Sequence, residues 1–246
     1  MSTDAVTRWD RLTVAVVAKE CVPGRVKTRL SPPLRPERAA LLAAAALHQT
    51  LDTVRTLPVR GRVLFIDGSP DPADAAGMTV IPQPAGGLDE RLAHLCAVVE
   101  GPLLILGMDT PQVGPADLEP VRIDWSRPSP VADAWFGPAA DGGFWALALA
   151  TPDPELLRGV PMSQTHTGAA QRDRLAAAGL RVGDLGVVRD VDVVDDAVEV
   201  ALLCPGTPFA RLCRQWGLST GNAPATDVTG EAQPAGVRTS RAEGTR

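Results

Sequence analysis

The chain has 246 residues, 45% of them hydrophobic, with 24 Lys and Arg against 29 Asp and Glu, for a formal net charge of -5. That length suits one substantial core, and the acidic balance argues against a nucleic-acid partner, so a local basic cluster on this chain points to a small anionic ligand. Cys21, Cys96, Cys204 and Cys213 show neither a Cys-x-x-Cys pair nor a histidine at zinc-ligand spacing, which predicts free thiols in a reducing, cytoplasmic compartment.

The first apolar run, Leu12 to Val17, is short and rich in β-branched residues, and reads as a buried strand with no membrane span. Directly after it, the segment Ala18 to Leu30 carries Lys19, Arg25, Lys27 and Arg29, with a turn forced by Pro23-Gly24. A cationic, glycine-bearing loop at the end of a central strand is where an open α/β sheet holds phosphate; it also fits a solvated basic surface. It is not a Walker A loop, because Val26 stands where glycine must precede Lys27-Thr28.

Pro36 to Thr56 reads as a long Ala/Leu helix, Arg62 to Ile66 as a strand, Asp67 to Gly77 as a loop and Met78 to Ile81 as a short strand. A helix over Leu88–Val99, a strand over Pro102–Leu106 and a helix near Pro115–Val121 follow. Strands are expected near Pro130–Ala134 and at Phe144–Leu149, a helix at Thr167–Ala178, a β-like run at Val187–Val191 and a helix at Asp195–Leu203. This alternation predicts an α/β fold with a mainly parallel sheet, helices on both faces, and ligands at the carboxyl ends of the strands. One domain is expected over residues 1–216, with 217–246, poor in large apolar residues, as a disordered tail.

Several strand ends carry acids. Asp109 follows a buried strand in Gly107-Met108-Asp109-Thr110-Pro111, as a ligand for a hard cation or as a turn cap. Asp192 follows the run 187–191; its neighbours Asp195 and Asp196 suit the start of a helix. Asp141 stands beside Gly142 and Gly143, where the backbone can approach a ligand closely and the carboxylate can hold acceptor hydroxyls, although an Asp-Gly turn explains the same residues. Gln83 and Gly87 precede a helix and could contact a nucleobase. His166, at the start of another helix, is the histidine with a candidate acceptor contact, whereas His48 and His94 lie inside helices. A serine-hydrolase elbow and a Cys-His pair are both missing, so the pattern points to electrostatic handling of phosphate.

Taken in order, Lys19 through Pro23-Gly24-x-Val26-Lys27-Thr28-Arg29-Leu30, Gly107-x-Asp109-x-Pro111, Gly137-Pro138-x-x-Asp141-Gly142-Gly143-Phe144 and Asp190-Val191-Asp192 resemble the bacterial GT-A-like glycosyltransferase family linked to arsenosugar biosynthesis. The resemblance spans about Leu12 to Leu203. It implies a nucleotide-diphospho-sugar transferase fold, with Lys19, Gly24, Lys27 and Arg29 toward the phosphates of a nucleotide and Asp109 and Asp192 on Mg2+ or Mn2+. The expected enzyme is then a metal-assisted glycosyltransferase acting on a nucleotide sugar and a small-molecule acceptor, with Asp109 and Asp141 catalytic and Gly142, Gly143 and His166 toward the acceptor. The alternatives are a guanylyltransferase-like nucleotidyltransferase that takes a nucleoside triphosphate and releases pyrophosphate, and a non-catalytic nucleotide-binding module.

Overall fold

The computed structural model describes residues 6–219. Strands β1 (Thr13–Lys19), β2 (Gly61–Asp67), β3 (Thr79–Pro82), β4 (Leu103–Gly107), β5 (Ala134–Pro138), β6 (Phe144–Leu149) and β7 (Val182–Asp184) form a seven-stranded sheet in the order β3-β2-β1-β4-β6-β5-β7. β6 alone runs against the others. β1 lies between β2 and β4, with Val16 opposite both Leu64 and Leu106. The chain reverses its order of winding between β1 and β4, which opens a crevice at the carboxyl ends of these strands. This is an α/β fold with helices on both faces of a mainly parallel sheet.

The period-2 alternation of the strands divides the core. Val14, Val16, Leu64, Leu104 and Leu106 face α1 (Pro36–Thr56), where Ala43, Leu47 and Leu51 meet them. Ala15, Phe65, Leu103 and Ile105 face the opposite side, under Leu92, Leu95 and Cys96 of α3 (Leu88–Val98) and Leu175 of α5 (Thr167–Ala177). The outer side of α1 is buried as well: Leu42, Ala45 and Ala46 pack on α6 (Val194–Leu203) and α7 (Pro208–Gln215). An Ala-rich helix suits this position because small side chains allow close approach on two sides.

Four local expectations change. The segment 130–134 is not a strand, because the Asp124 carboxylate accepts hydrogen bonds from the Val131 and Ala132 amides at 2.8 and 3.1 Å. Those amides are thus held in a cap, and β5 begins at Ala134. Asp124 itself belongs to α4 (Glu119–Trp125), which carries the helix expected near residue 115 further along the chain. The run 187–191 makes only a single bridge, Val188 to Ala139, and the parallel ladder with β5 forms earlier, at β7. Finally, the loop after β2 contains the one-turn α2 (Pro72–Ala75), capped by Asp71, and α7 follows a Thr207 cap whose hydroxyl accepts from Ala210 N.

Packing continues slightly beyond residue 216, since Leu218 N donates to Cys213 O and its side chain lies against the α1–α6–α7 cluster. The expected tail over 220–246 lies outside the described residues.

Phe209 is fully buried among α1, α6 and α7. Phe209→Ala is expected to lower unfolding stability by about 3–5 kcal/mol, the cost of removing a buried aromatic side chain, measured as a shift in the urea midpoint at unchanged slope.

Candidate nucleotide and metal site

The carboxyl ends of β1, β2 and β4, the β5–β6 turn and the segment before α6 enclose a cleft of about 830 Å3. This lies within the usual size range for small-molecule and cofactor sites. One wall is the basic loop. Val26 and Leu30 are buried in two different hydrophobic clusters, one on each side of α1, and they pin the loop at both places. Between them Lys27 adopts a left-handed conformation, φ 46° and ψ 45°. That unusual backbone for a non-glycine residue turns the side chain inward.

Lys27 Nζ lies 2.6 Å from Asp109 Oδ2 and 2.9 Å from Asp192 Oδ1, and Arg29 Nη1 lies 3.2 Å from Asp192 Oδ2. Burial works against the charged lysine, but the two carboxylates outweigh it and raise its pKa. For Asp192, burial acts upward and is outweighed by Lys27 and Arg29, so its pKa is lowered. Backbone contacts hold the acids in place: Val191 N donates to Asp109 O at 3.1 Å, and the Asp196 carboxylate accepts from the Asp192 and Val193 amides. Asp196 therefore performs the helix-capping task expected of it.

Asp141, Asp190 and Asp192 can each bring one carboxylate oxygen within 4.8 Å of the others. Asp190 is pushed up to about 6, first by burial and then by the negative charges of Asp141 and Asp192. In this all-carboxylate set Asp192 is paired with Lys27 and Arg29, whereas Asp141 and Asp190 have no ion-pair partner among the described residues, and such a set fits a hard divalent cation such as Mg2+ or Mn2+. Asp109 also lines the cleft, with its Oδ2 on Lys27, while its Oδ1 is buried and has no hydrogen-bond partner among the described residues. Of the expected ligands, then, Asp192 stands in the carboxylate cluster and Asp109 across the lysine from it. Asp190 was not selected from the sequence, although two residues spaced i, i+2 in an extended run share a side.

The remaining expected residues divide between cleft and scaffold. Lys19, Lys27, Arg29, Gln83, Asp141 and Gly143 line the cleft, as does Arg25. Gly24 supplies a turn at φ +74° and Gly87 caps α3; neither lines the cleft. Both amide hydrogens of Gln83 are used, on Ala18 O and Phe65 O at 2.9 Å, so it serves mainly to join strand ends. Asp141 accepts from Gly143 N at 2.8 Å. Gly142 has φ +91°, and a Cβ there would lie 1.9 Å from the Thr165 carbonyl oxygen. It holds the β5–β6 turn against the start of α5, where His166 stands exposed and outside the cleft lining, next to the lining residues Thr165 and Thr167.

The family model "Uncharacterized protein conserved in bacteria (DUF2064)" matches residues 50–164. Among solved structures, the chain is similar to a protein from Desulfovibrio desulfuricans G20 assigned as a nucleotide-diphospho-sugar transferase, at 21% identity and TM-score 0.73, covering 83% of this chain and 94% of that one. It is also similar to a cytidylyltransferase from Leptospira borgpetersenii serovar Hardjo-bovis, at 10% identity and TM-score 0.53, over 84% of this chain and 94% of that one. These likenesses share the fold described above. No curated protein matches the sequence.

Two outcomes are expected. Gly142→Ala clashes with backbone at a left-handed position, and should lower the melting temperature and the occupancy of the cleft together. Asp190→Asn should behave in the opposite sense on stability. A carboxyl whose folded pKa is raised to about 6 disfavours folding once it ionises, so the penalty grows from about pH 4 to pH 6 and is full above. In metal-free buffer the variant should therefore be more stable than the parent at pH 7–8, on the order of 1 kcal/mol after solvent screening, and equal to it below about pH 4, as read by chemical denaturation.

Proposed function

We propose that the protein is a cytoplasmic, metal-assisted transferase that takes a nucleotide-activated donor, with a nucleotide sugar as donor and a small molecule as acceptor. The observation that supports this reading best is the meeting, in one cleft, of the Asp141–Asp190–Asp192 cluster and a basic wall of Lys19, Arg25, Lys27 and Arg29, the last two ion-paired to Asp192. Anions of a diphosphate need both partners. The carboxylates would hold Mg2+ or Mn2+, which neutralises charge on the departing diphosphate.

The protein's own groups do the rest. Lys19 and Arg25 attract the phosphates, and Arg29, three-quarters exposed, stands at the rim. Lys27 is held at a set position by Asp109 and Asp192, so its charge is preorganised and needs no rearrangement as negative charge develops beside it. Asp109 is a positioning residue for that ammonium. Asp141, exposed on the turn after β5, is the carboxylate placed to orient an acceptor hydroxyl. The family resemblance in the sequence adds arsenical acceptors to the candidates.

A second reading, nucleotidyl transfer from a nucleoside triphosphate, draws on the number of cations on the basic wall, which would also suit a longer phosphate chain. The products separate the two reactions: a nucleoside diphosphate for glycosyl transfer, pyrophosphate for nucleotidyl transfer. Nucleotide sugars are expected to raise the melting temperature in the presence of Mn2+. Absence of metal-dependent stabilisation by every nucleotide and nucleotide sugar tested would overturn both readings, and binding without turnover would favour a non-catalytic module.

Within this reading, Asp192→Asn should lower turnover by about 100-fold or more, since it weakens the metal set and releases Lys27 and Arg29 together. Lys27→Met leaves Asp109 and Asp192 without their shared cation. It should cost about 1–3 kcal/mol of stability and reduce nucleotide affinity, measured by denaturation and by titration calorimetry respectively.

A further inference from the structure

The end of the cleft farthest in sequence from the carboxylate cluster is formed where β1, β2 and β3 finish. Asp67, the last residue of β2, is fixed by its backbone: its carbonyl accepts from Glu20 N at 2.9 Å, and β1 pairs Lys19 directly with it. Arg91, one turn into α3, reaches back to this strand end. Its Nη1 lies 2.9 Å from Asp67 Oδ2 and 3.1 Å from Gln83 Oε1, and its Nε donates to Gly86 O at 3.0 Å. Both Asp67 and Arg91 line the cleft and stay partly open to it, with side chains 37% and 26% exposed. Asp67 Oδ1 and Arg91 Nη2 have no hydrogen-bond partner among the described residues, whereas Gln83 has spent both amide hydrogens on backbone carbonyls.

This leaves a defined pattern. The guanidinium offers a donor, and the carboxylate beside it offers two acceptor oxygens, with the arginine fixed at three points. A guanine base presents the complement along its pairing edge: the O6 acceptor, the N1–H donor and the exocyclic N2–H donor. Uracil presents acceptor, donor, acceptor, and would set its O2 against a carboxylate oxygen. Cytosine and adenine both begin with an amino donor, which would meet the guanidinium, and follow it with a ring-nitrogen acceptor, which would meet the carboxylate. Resting on the transferase reading above, we infer that the donor is a guanine nucleotide whose base is read by the Arg91–Asp67 pair.

The inference is tested by calorimetric titration of the full chain in Mn2+ with GDP, UDP, CDP and ADP. GDP should bind at least about tenfold more tightly than the other three, because a buried polar edge left unpaired is strongly rejected. Asp67→Asn replaces one acceptor oxygen by a donor, giving donor, acceptor, donor; GDP affinity should fall by about tenfold or more, and xanthosine diphosphate and UDP, which both present acceptor, donor, acceptor, should become the better ligands. That gain cannot come from misfolding. Equal or tighter binding of UDP, CDP or ADP to the parent chain, or unchanged selectivity in Asp67→Asn, overturns the guanine inference and leaves the transferase reading standing. If no nucleoside diphosphate binds with metal, both fall.

Discussion

The site depends on one buried ammonium. Lys27 is inserted between carboxylates that arrive from distant parts of the chain, Asp109 after β4 and Asp192 before α6. Each of the three would be poorly placed alone. A lysine desolvated to this degree needs compensating charge, and two acids brought together at a strand end need a cation between them. Their mutual requirement holds the basic loop over the sheet and the segment 188–192 beside β4.

That pairing also sets the chemical character of the cleft. If all four loop cations pointed into solvent, the site would be a diffuse anion patch. Because Lys27 is committed to Asp109 and Asp192, and Arg29 to Asp192, the more available positive charge lies on Lys19 and Arg25, while Asp141 and Asp190 have no counterion among the described residues. The result is a cleft polarised over a short distance, basic on the β1 side and acidic on the β5–β6 side. Such a cleft suits a ligand that carries its own divalent cation with its phosphates. The raised pKa of Asp190, about 6, is a local sign of the same imbalance, and perturbed groups of this kind concentrate where chemistry is done.

Much of the framework was legible from residue pattern. The bounds of α1 and β6 coincide with the Ala/Leu run and the apolar run that announced them, because in both cases burial and propensity favour the same structure. Errors arose where a side chain from elsewhere claimed the backbone. Val131 looks like part of a strand, but Asp124 takes its amide. Val187 to Val191 has strong β propensity, yet the Trp145 indole donates to Gly186 O just before it, and only Val188 pairs across to Ala139. Helix α7 is short and depends on tertiary contacts of Phe209, Ala210 and Cys213, which a local window cannot weigh.

Hydrophobic period, turn residues and local charge were enough to fix the α/β class, the basic loop after the first strand, and the places of Asp109 and Asp141 beside strand ends, whereas Asp192 follows a run that makes only a single bridge. Which charges meet was set in three dimensions. Asp190 joined the carboxylate cluster, Asp109 was turned toward Lys27, and Arg91 crossed to Asp67, because each of these pairings joins residues far apart in the chain. Such contacts are set by sheet order and loop packing, and the range of an electrostatic interaction is measured through space, not along the sequence.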